Sequence, residues 1–544
     1  MKREIPDQHV ERADLKNLKE LVAYGAKEYN ESVAVKYREG RNEIVEITFK
    51  QFAQDVQGLG EYLMSIGASN GDRIAVLGEN SYPWIATYFA VVNTGNVIVP
   101  IDKELKPVEI APLLNNSESK ILLYSKAKAD AVEEIKSIGI STEIFICLDD
   151  FKDIVAKGRE LIANGGNAYE STVIDEEKMC AIIYTSGTTG DPKGVMLSHK
   201  NLARDAYLAM SCMIIEDATI AILPLNHTFG FMASVLCPLW MGHSIFINNS
   251  IKSVLKDIQT AKPWYVSVVP LYLEKFYAGI WKGVEKQGKT KLVKTMIKVS
   301  NGLRKVGIDV RKVLFKQILE NFGGNINILI TGGAPISDEY MKGFEDFGIT
   351  VINGYGITEC SPIVALNRNN NVRYGTVGNA IPEVEIKIEN PDADGEGEIW
   401  VKGDIVMMGY YKKPEETAKV LKDGWFNTED IGKIDGRFLS ITGREKNIII
   451  LDNGKNVYPE EIETLISFVN NVDEVIVRRD GDIIIAEVYS SAEENVEEVR
   501  KQIETDIMEI NKTLASYKQI KKVVFRDEEF HKTATRKIKR DLIK

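Results

Sequence analysis

The sequence predicts an α/β protein: a large N-terminal domain of layered sheets and helices in several subdomains, followed by a small α+β C-terminal domain. Three observations predict it. Short apolar β-like runs alternate with helical patterns over most of the chain. After about Thr442 the pattern changes to a hairpin, a charged amphipathic helix and a further strand. A length of 544 residues also exceeds what one hydrophobic core supports. The domains are drawn at 1–442 and 443–544.

Taken in order, RIAVLGEN (Arg73–Asn80) reads as a short buried strand, with a helical run from Tyr82 to Thr94 after it. ILLYS (Ile121–Ser125) and EIFICLDD (Glu143–Asp150) repeat the strand, with a helix between them. Thr219–Ser250 contains no Asp, Glu, Lys or Arg, which a hydropathy window reads as a membrane span. Its Pro224, Asn226, His227, Pro238 and Asn248, with Gly230 and Gly242, favour two buried strands and a short helix around a polar site. INILITGGAPIS (Ile326–Ser337) is strand then loop, and Ser337 caps a helix that ends at Gly348. Beyond Thr442, VIVRRDGDIIIAEVYS (Val475–Ser490) is a hairpin turning at Asp480-Gly481. A helix from about Ala492 to Ile510 and a third strand, KKVVFRD (Lys521–Asp527), complete the small domain. The junction Gly443–Lys446 reads as a short hinge.

Composition narrows the function. An apolar fraction of 44% and a charged fraction of 27% are those of an ordinary soluble protein. A net charge of −11 argues against a nucleic-acid partner. It leaves room for a local pocket of amides and Lys that binds an anionic nucleotide. The five cysteines, Cys147, Cys180, Cys212, Cys237 and Cys360, form no C-x-x-C pair. A disulfide framework is therefore not expected, and a reducing, cytoplasmic location fits. The charged start shows no secretory signal. No transmembrane segment is expected and no basic amphipathic helix stands out as an anchor, so peripheral membrane contact stays open, as does the oligomeric state.

The strongest motif is MCAIIYTSGTTGDPKGVMLSH (Met179–His199). A strand, about Cys180–Thr185, runs into Ser186-Gly187-Thr188-Thr189-Gly190, and Lys193 follows. Glycines let backbone amides approach an anion, hydroxyls add donors, and Lys193 brings a charge suited to polyphosphate. The G-x-x-x-x-G-K-[ST] loop is excluded, because Lys193 lies between Pro192 and Gly194. Ser198 opens a helix, and His199 on it is read as structural.

Here the chain resembles the adenylate-forming enzymes, a family of acyl-CoA synthetases, peptide-synthetase adenylation domains and luciferases. YTSGTTGDPKGV is similar to their phosphate-loop signature, and the resemblance extends over nearly the whole chain. It implies binding of the phosphates by Thr185, Ser186, Gly187, Thr188, Thr189, Gly190 and Lys193. In NGYGITE (Asn353–Glu359), Gly354 and Gly356 flank Tyr355, whose ring can stack on a purine. Thr358 offers a hydroxyl. A carboxylate beside a triphosphate, Glu359, is explained as a Mg²⁺ ligand, with Thr185 as a second metal contact. The resemblance implies that Tyr355 lies against adenine and Thr358 contacts the α-phosphate. It extends to TGGAPIS, where Gly333 and Ala334 are candidates for backbone contact, and to LPLNHTFGF (Leu223–Phe231), where His227 matches a residue near the acyl carboxylate. Asn226 departs from the commoner family pattern. The resemblance further implies that Asp430, in GWFNTEDIGKID, accepts from the ribose hydroxyls, that Arg444 contacts ribose or phosphate, and that Lys446 is the pivot of the small domain. LDNGKNVYPEEIE, with Gly454 in a turn and Pro459 at a helix start, is similar to the stretch near the thiol tunnel. HKTATRKIKR resembles the family's C-terminal lysine motif and matches Lys537 to the catalytic lysine.

The chemistry this implies is activation of a fatty acid by ATP as acyl-AMP, followed by transfer to CoA. The barrier to joining two anions is electrostatic, so cations and fixed donors matter more than a nucleophile. Lys537 serves the first step, and rotation of the small domain about the hinge serves the second. Ligation of an aryl or other acid, or delivery to a carrier-protein thiol, remains an alternative. A nucleotide-binding protein without catalysis is another.

Overall fold

The computed structural model describes residues 9–40, 43–185, 192–451, 456–481, 483–492, 494–532, 538 and 540. Ser186, Gly187, Thr188, Thr189, Gly190, Gly454 and Lys537 lie outside the described residues.

Two large sheets organise the first part of the chain. In the first, Arg73–Leu77, Val97–Ile101, Ser119–Tyr124, Ile144–Cys147 and Met179–Thr185 run parallel. Lys193–Ser198 and Gly409–Tyr410 close one side in antiparallel register. The parallel strands are nearly continuous apolar runs because helices cover both faces. One of those helices, Tyr82–Asn93, is buried along most of its length and starts where the Ser81 side chain accepts from the Trp84 N–H at 3.3 Å.

The second sheet holds nine strands among the described residues, with Thr350–Gly356, Ile328–Thr331, Tyr265–Val268, Thr219–Ala221 and Ile245–Ile247 parallel at its centre. The uncharged segment supplies two of these strands. Between them a helix runs from Thr228 to Met241 and contains a wide π-type turn at Met232–Leu236. It is longer than the short helix expected. Among the described residues no helix is long and apolar enough to cross a membrane. A further antiparallel sheet carries Gly397–Lys402, Trp425–Asp435 and Phe438–Arg444.

The last hundred residues have their own core. The hairpin Glu474–Asp480 and Ile483–Tyr489 is joined by Lys522–Arg526, parallel to its second strand. Helices Pro459–Ile466 and Val496–Asn511 bury Ile462, Ile466, Ile503 and Ile507 against Val477 and Ala486. The second helix starts four residues later than expected, because Asn495 adopts a left-handed conformation, φ 51°, that the helix cannot include. The small domain touches the larger part through Phe468, edge-on to Tyr340 at 5.8 Å, and at the junction Tyr458 and Glu460 crowd the buried Gly443.

Candidate active site

The sequence-predicted residues converge from separate elements. Asp430 lies on Trp425–Asp435 and Arg444 on the neighbouring Phe438–Arg444, and the two are register partners. That pairing aligns the Arg444 Nε with an Asp430 oxygen at 2.9 Å. The other carboxylate oxygen accepts the Tyr355 hydroxyl at 2.5 Å. Asp430 is buried, and its charge is the main cause that raises the pKa of Arg444. Burial, then Asp430, pushes the Tyr355 phenol well up.

Tyr355 lies on the strand Thr350–Gly356, which runs through both of its flanking glycines. The glycines are needed for space: a Cβ on Gly356 would meet the Pro362 carbonyl at 2.1 Å, and one on Gly354 the Ala365 carbonyl at 3.2 Å. Gly332, which the sequence reading passed over, packs against the Gly354 carbonyl on the adjacent strand's loop. Gly333, φ +80°, and Ala334 follow it, both exposed at the surface of that loop. Asn353 is buried, and its carbonyl accepts from Asn367 at 3.0 Å.

Glu359 is buried, and one of its oxygens accepts the Tyr410 hydroxyl at 2.8 Å. Desolvation raises its pKa, an effect that the Tyr410 hydroxyl, Arg444 and Lys193 oppose. Lys193, at the start of Lys193–Ser198, places its ammonium 4.8 Å from the centre of the Tyr410 ring. Thr185 ends the preceding strand, and its hydroxyl lies 3.4 Å from the Lys193 carbonyl. Tyr410 thus joins the cation and the carboxylate. No sequence signal marks it, because its role depends on a two-residue strand added to the sheet edge.

His227 is half-buried, with Nε2 3.8 Å from an Asp102 oxygen. The next residue, Thr228, donates its hydroxyl to that of Thr358 at 3.3 Å. Behind His227 lies a cavity of about 10 Å³ between Tyr88, Pro100, Ile183, Leu225 and Phe231, room for roughly one water and too small for an alkyl chain. Tyr88 and Phe231 stack across it at 3.9 Å. His199 is buried: Nδ1 accepts from the Leu18 N–H at 3.4 Å, and burial lowers its pKa to about 4. Arg444 leads into the turn Glu445–Asn447, where Lys446 is exposed.

Asp205 was also missed. It is fully buried on His199–Ser211, accepts from the Ile363 N–H at 3.1 Å, and leaves its second oxygen without a hydrogen-bond partner among the described residues. Burial raises its pKa well above the usual range. The sequence carried a signal: Asp205 lies on the helical stripe of Leu202, Ala206 and Ala209.

Comparison with known proteins follows the same outline. The family model described as AMP-binding enzyme matches residues 22–411, and that described as AMP-binding enzyme C-terminal domain matches residues 446–544. The Long-chain-fatty-acid–CoA ligase 5 of Rattus norvegicus is 29% identical, over 95% of this chain and 84% of its own. The chloroplastic Long-chain-fatty-acid–[acyl-carrier-protein] ligase AEE15 of Arabidopsis thaliana is 27% identical, over 92% and 81%. In fold, the chain superimposes on an anthranilate CoA ligase, AuaEII, solved with anthranoyl-AMP, with a TM-score of 0.79 at 21% identity over 99% of this chain and 97% of that one.

Proposed function

We propose that this chain, which belongs to the AMP-binding enzyme family, joins a fatty acid to CoA through an acyl-adenylate. It is an AMP-forming acid–thiol ligase. The observation that carries the reading is that Tyr355, Asp430 and Arg444, and likewise Lys193, Tyr410 and Glu359, are brought into contact from separate strands and turns. The names of the relatives support a fatty acid as substrate and CoA as acceptor.

The residues divide the work by charge. Asp430 would exchange its Tyr355 hydroxyl for the ribose hydroxyls, while the Tyr355 ring and the backbone of Gly333, Ala334, Asn353, Gly354 and Gly356 flank the adenine. Thr185 through Gly190, Lys193 and Thr358 would hold the phosphates, with Arg444 beside them. Glu359 suits Mg²⁺: it is a buried oxygen donor that no cation contacts among the described residues, and hard divalent cations take carboxylate and hydroxyl ligands. Glu359 and Thr185 would hold the ion, which neutralises phosphate charge. His227 would face the acid's carboxylate. Lys537, from a small domain running from about residue 443 and turning near Lys446, would bring the last cation to the reacting oxygens, lowering the repulsion between two anions.

Mg²⁺-dependent, acid-dependent ATP–pyrophosphate exchange across fatty, aryl and amino acids tests this reading. Exchange with fatty acids is expected, with AMP release that requires CoA. Lys537→Ala should lower exchange by a factor on the order of a thousand, while transfer from supplied acyl-AMP to CoA is retained. Exchange without any response to CoA would move the assignment to a carrier-protein thiol, the activity that the name of the Arabidopsis relative carries. No exchange with any acid in folded protein would overturn it.

A further inference from the structure

Between the strands Tyr265–Val268 and Ile328–Thr331 the chain makes an excursion of helices: Pro270–Lys286, Thr290–Arg304, Arg311–Leu314 and Lys316–Glu320. Its composition opposes that of the rest. Residues 289–316 hold nine Lys and Arg residues against one acid, Asp309, in a chain of net charge −11. Within it, Lys–aliphatic pairs recur every seven residues: Lys291-Leu292, Lys298-Val299, Lys305-Val306 and Lys312-Val313.

Seven residues make close to two helical turns, so the pairs along Thr290–Arg304 fall on one stripe. The inner face of the same helix is occupied: Val293 and Ser300 are buried, and Met296 and Ile297 pack on the core. The outer stripe of this helix, Leu292 and Val299, is open at 56% and 52% exposed, and Val306 and Val313, beyond the helix end, are 72% and 79% exposed. Single exposed aliphatic residues are ordinary on a soluble protein, but a regular series alternating with Lys is not.

The charges divide into two sets. Arg304 and Arg311 are anchored on one residue, Glu345, at 2.5 Å through its carboxylate and 2.6 Å through its backbone carbonyl. That shared anchor brings the end of one helix beside the start of the next. Lys291, Lys298 and Lys305 form no ion pair among the described residues. Lys312, Lys316 and Lys262 line an open cleft of about 530 Å³, together with Glu320, which lies 3.9 Å from Lys316.

We propose that this surface docks the protein on an anionic lipid bilayer. The aliphatic side chains enter the boundary between headgroups and acyl chains. The lysines lay their stems along that boundary and present their ammonium groups to lipid phosphates. The cleft receives a phosphate headgroup between Lys312 and Lys316. Charge complementarity favours this occupant: a second copy paired face to face would bring the same positive surface, whereas an anionic bilayer presents a continuous negative one. The inference does not rest on which acid the enzyme activates.

Co-sedimentation of the full chain with vesicles of phosphatidylcholine, alone or mixed with phosphatidylglycerol, tests it. Binding is expected to the mixed vesicles only, with release at high salt as exposed charges are screened. The variant K291S/K298S/K305S should lose partitioning by a factor on the order of a hundred. L292S/V299S should weaken binding and leave its salt dependence. Circular dichroism and acid-dependent exchange in vesicle-free solution should match wild type in both variants, which separates lost docking from lost folding or function. Failure of wild type to bind mixed vesicles overturns the proposal. Equal binding by the triple lysine variant also overturns it, as does capture of an acidic carrier protein without vesicle binding. K312S/K316S should bind less well, and unchanged binding would remove the cleft from the docking surface.

Discussion

At the scale of single residues, the contact between Tyr410 and Glu359 sets the state of the carboxylate expected to bind metal. Burial favours the protonated form of Glu359, and the Tyr410 hydroxyl favours the charged form. In Tyr410→Phe only the opposing influence is lost, so the Glu359 pKa rises further. Since the ionised form is needed, the acid limb of the pH–rate profile should move to higher pH, by about one unit for a hydrogen bond to a charged group. An unmoved limb, with kcat lowered uniformly, would detach Tyr410 from the metal site. Lys193 and Glu359 stand out in the sequence because charge beside an anion site requires an explanation, whereas Asp430 is singled out only through the family resemblance. Tyr410, Thr228 and Asp102 do not stand out, because each acts through a partner more than fifty residues away in sequence.

Among elements, local chemistry was read well and close backbone approach was not. Ser198 and Ser337 cap their helices as expected, since an N-cap hydrogen bond involves only neighbours. The strand Thr350–Gly356 ends in Gly-Tyr-Gly, which has the composition of a turn and carries no sequence signal of a strand. Its glycines serve a different need, the passage of neighbouring carbonyls across the strand. Gly356→Ala, at a backbone angle any residue can adopt, should therefore destabilise by about 1–3 kcal/mol through overpacking against Pro362. The midpoint of urea unfolding measures this, and a wild-type midpoint would show that the strand has room to yield. The wide turn at Met232–Leu236 was equally invisible, because nothing in an apolar run distinguishes a π-type turn from an α-helical one.

At the scale of the molecule, alternation of strand and helix was enough to foresee layered sheets and a separate small core, because both follow from composition averaged over long windows. The basic excursion escaped notice for the converse reason: its Lys–aliphatic stripe is meaningful only once the inner face of Thr290–Arg304 is seen to be occupied. One contact joins the loop proposed to face the acid to the loop proposed to hold the metal. The Thr228 hydroxyl, next to His227, meets that of Thr358, next to Glu359, at 3.3 Å. Each loop is thus part of the other's environment. Coupling between the proposed acid and nucleotide pockets is the expected outcome, and any such coupling must be reciprocal: whatever factor the acid applies to the affinity for ATP, ATP applies to the affinity for the acid. Calorimetric titration of each ligand with and without the other, in the Lys537→Ala protein so that no chemistry intervenes, should give one common factor greater than one. In Thr228→Val that factor should fall towards one with both separate affinities kept, so that the two substrates no longer sense each other.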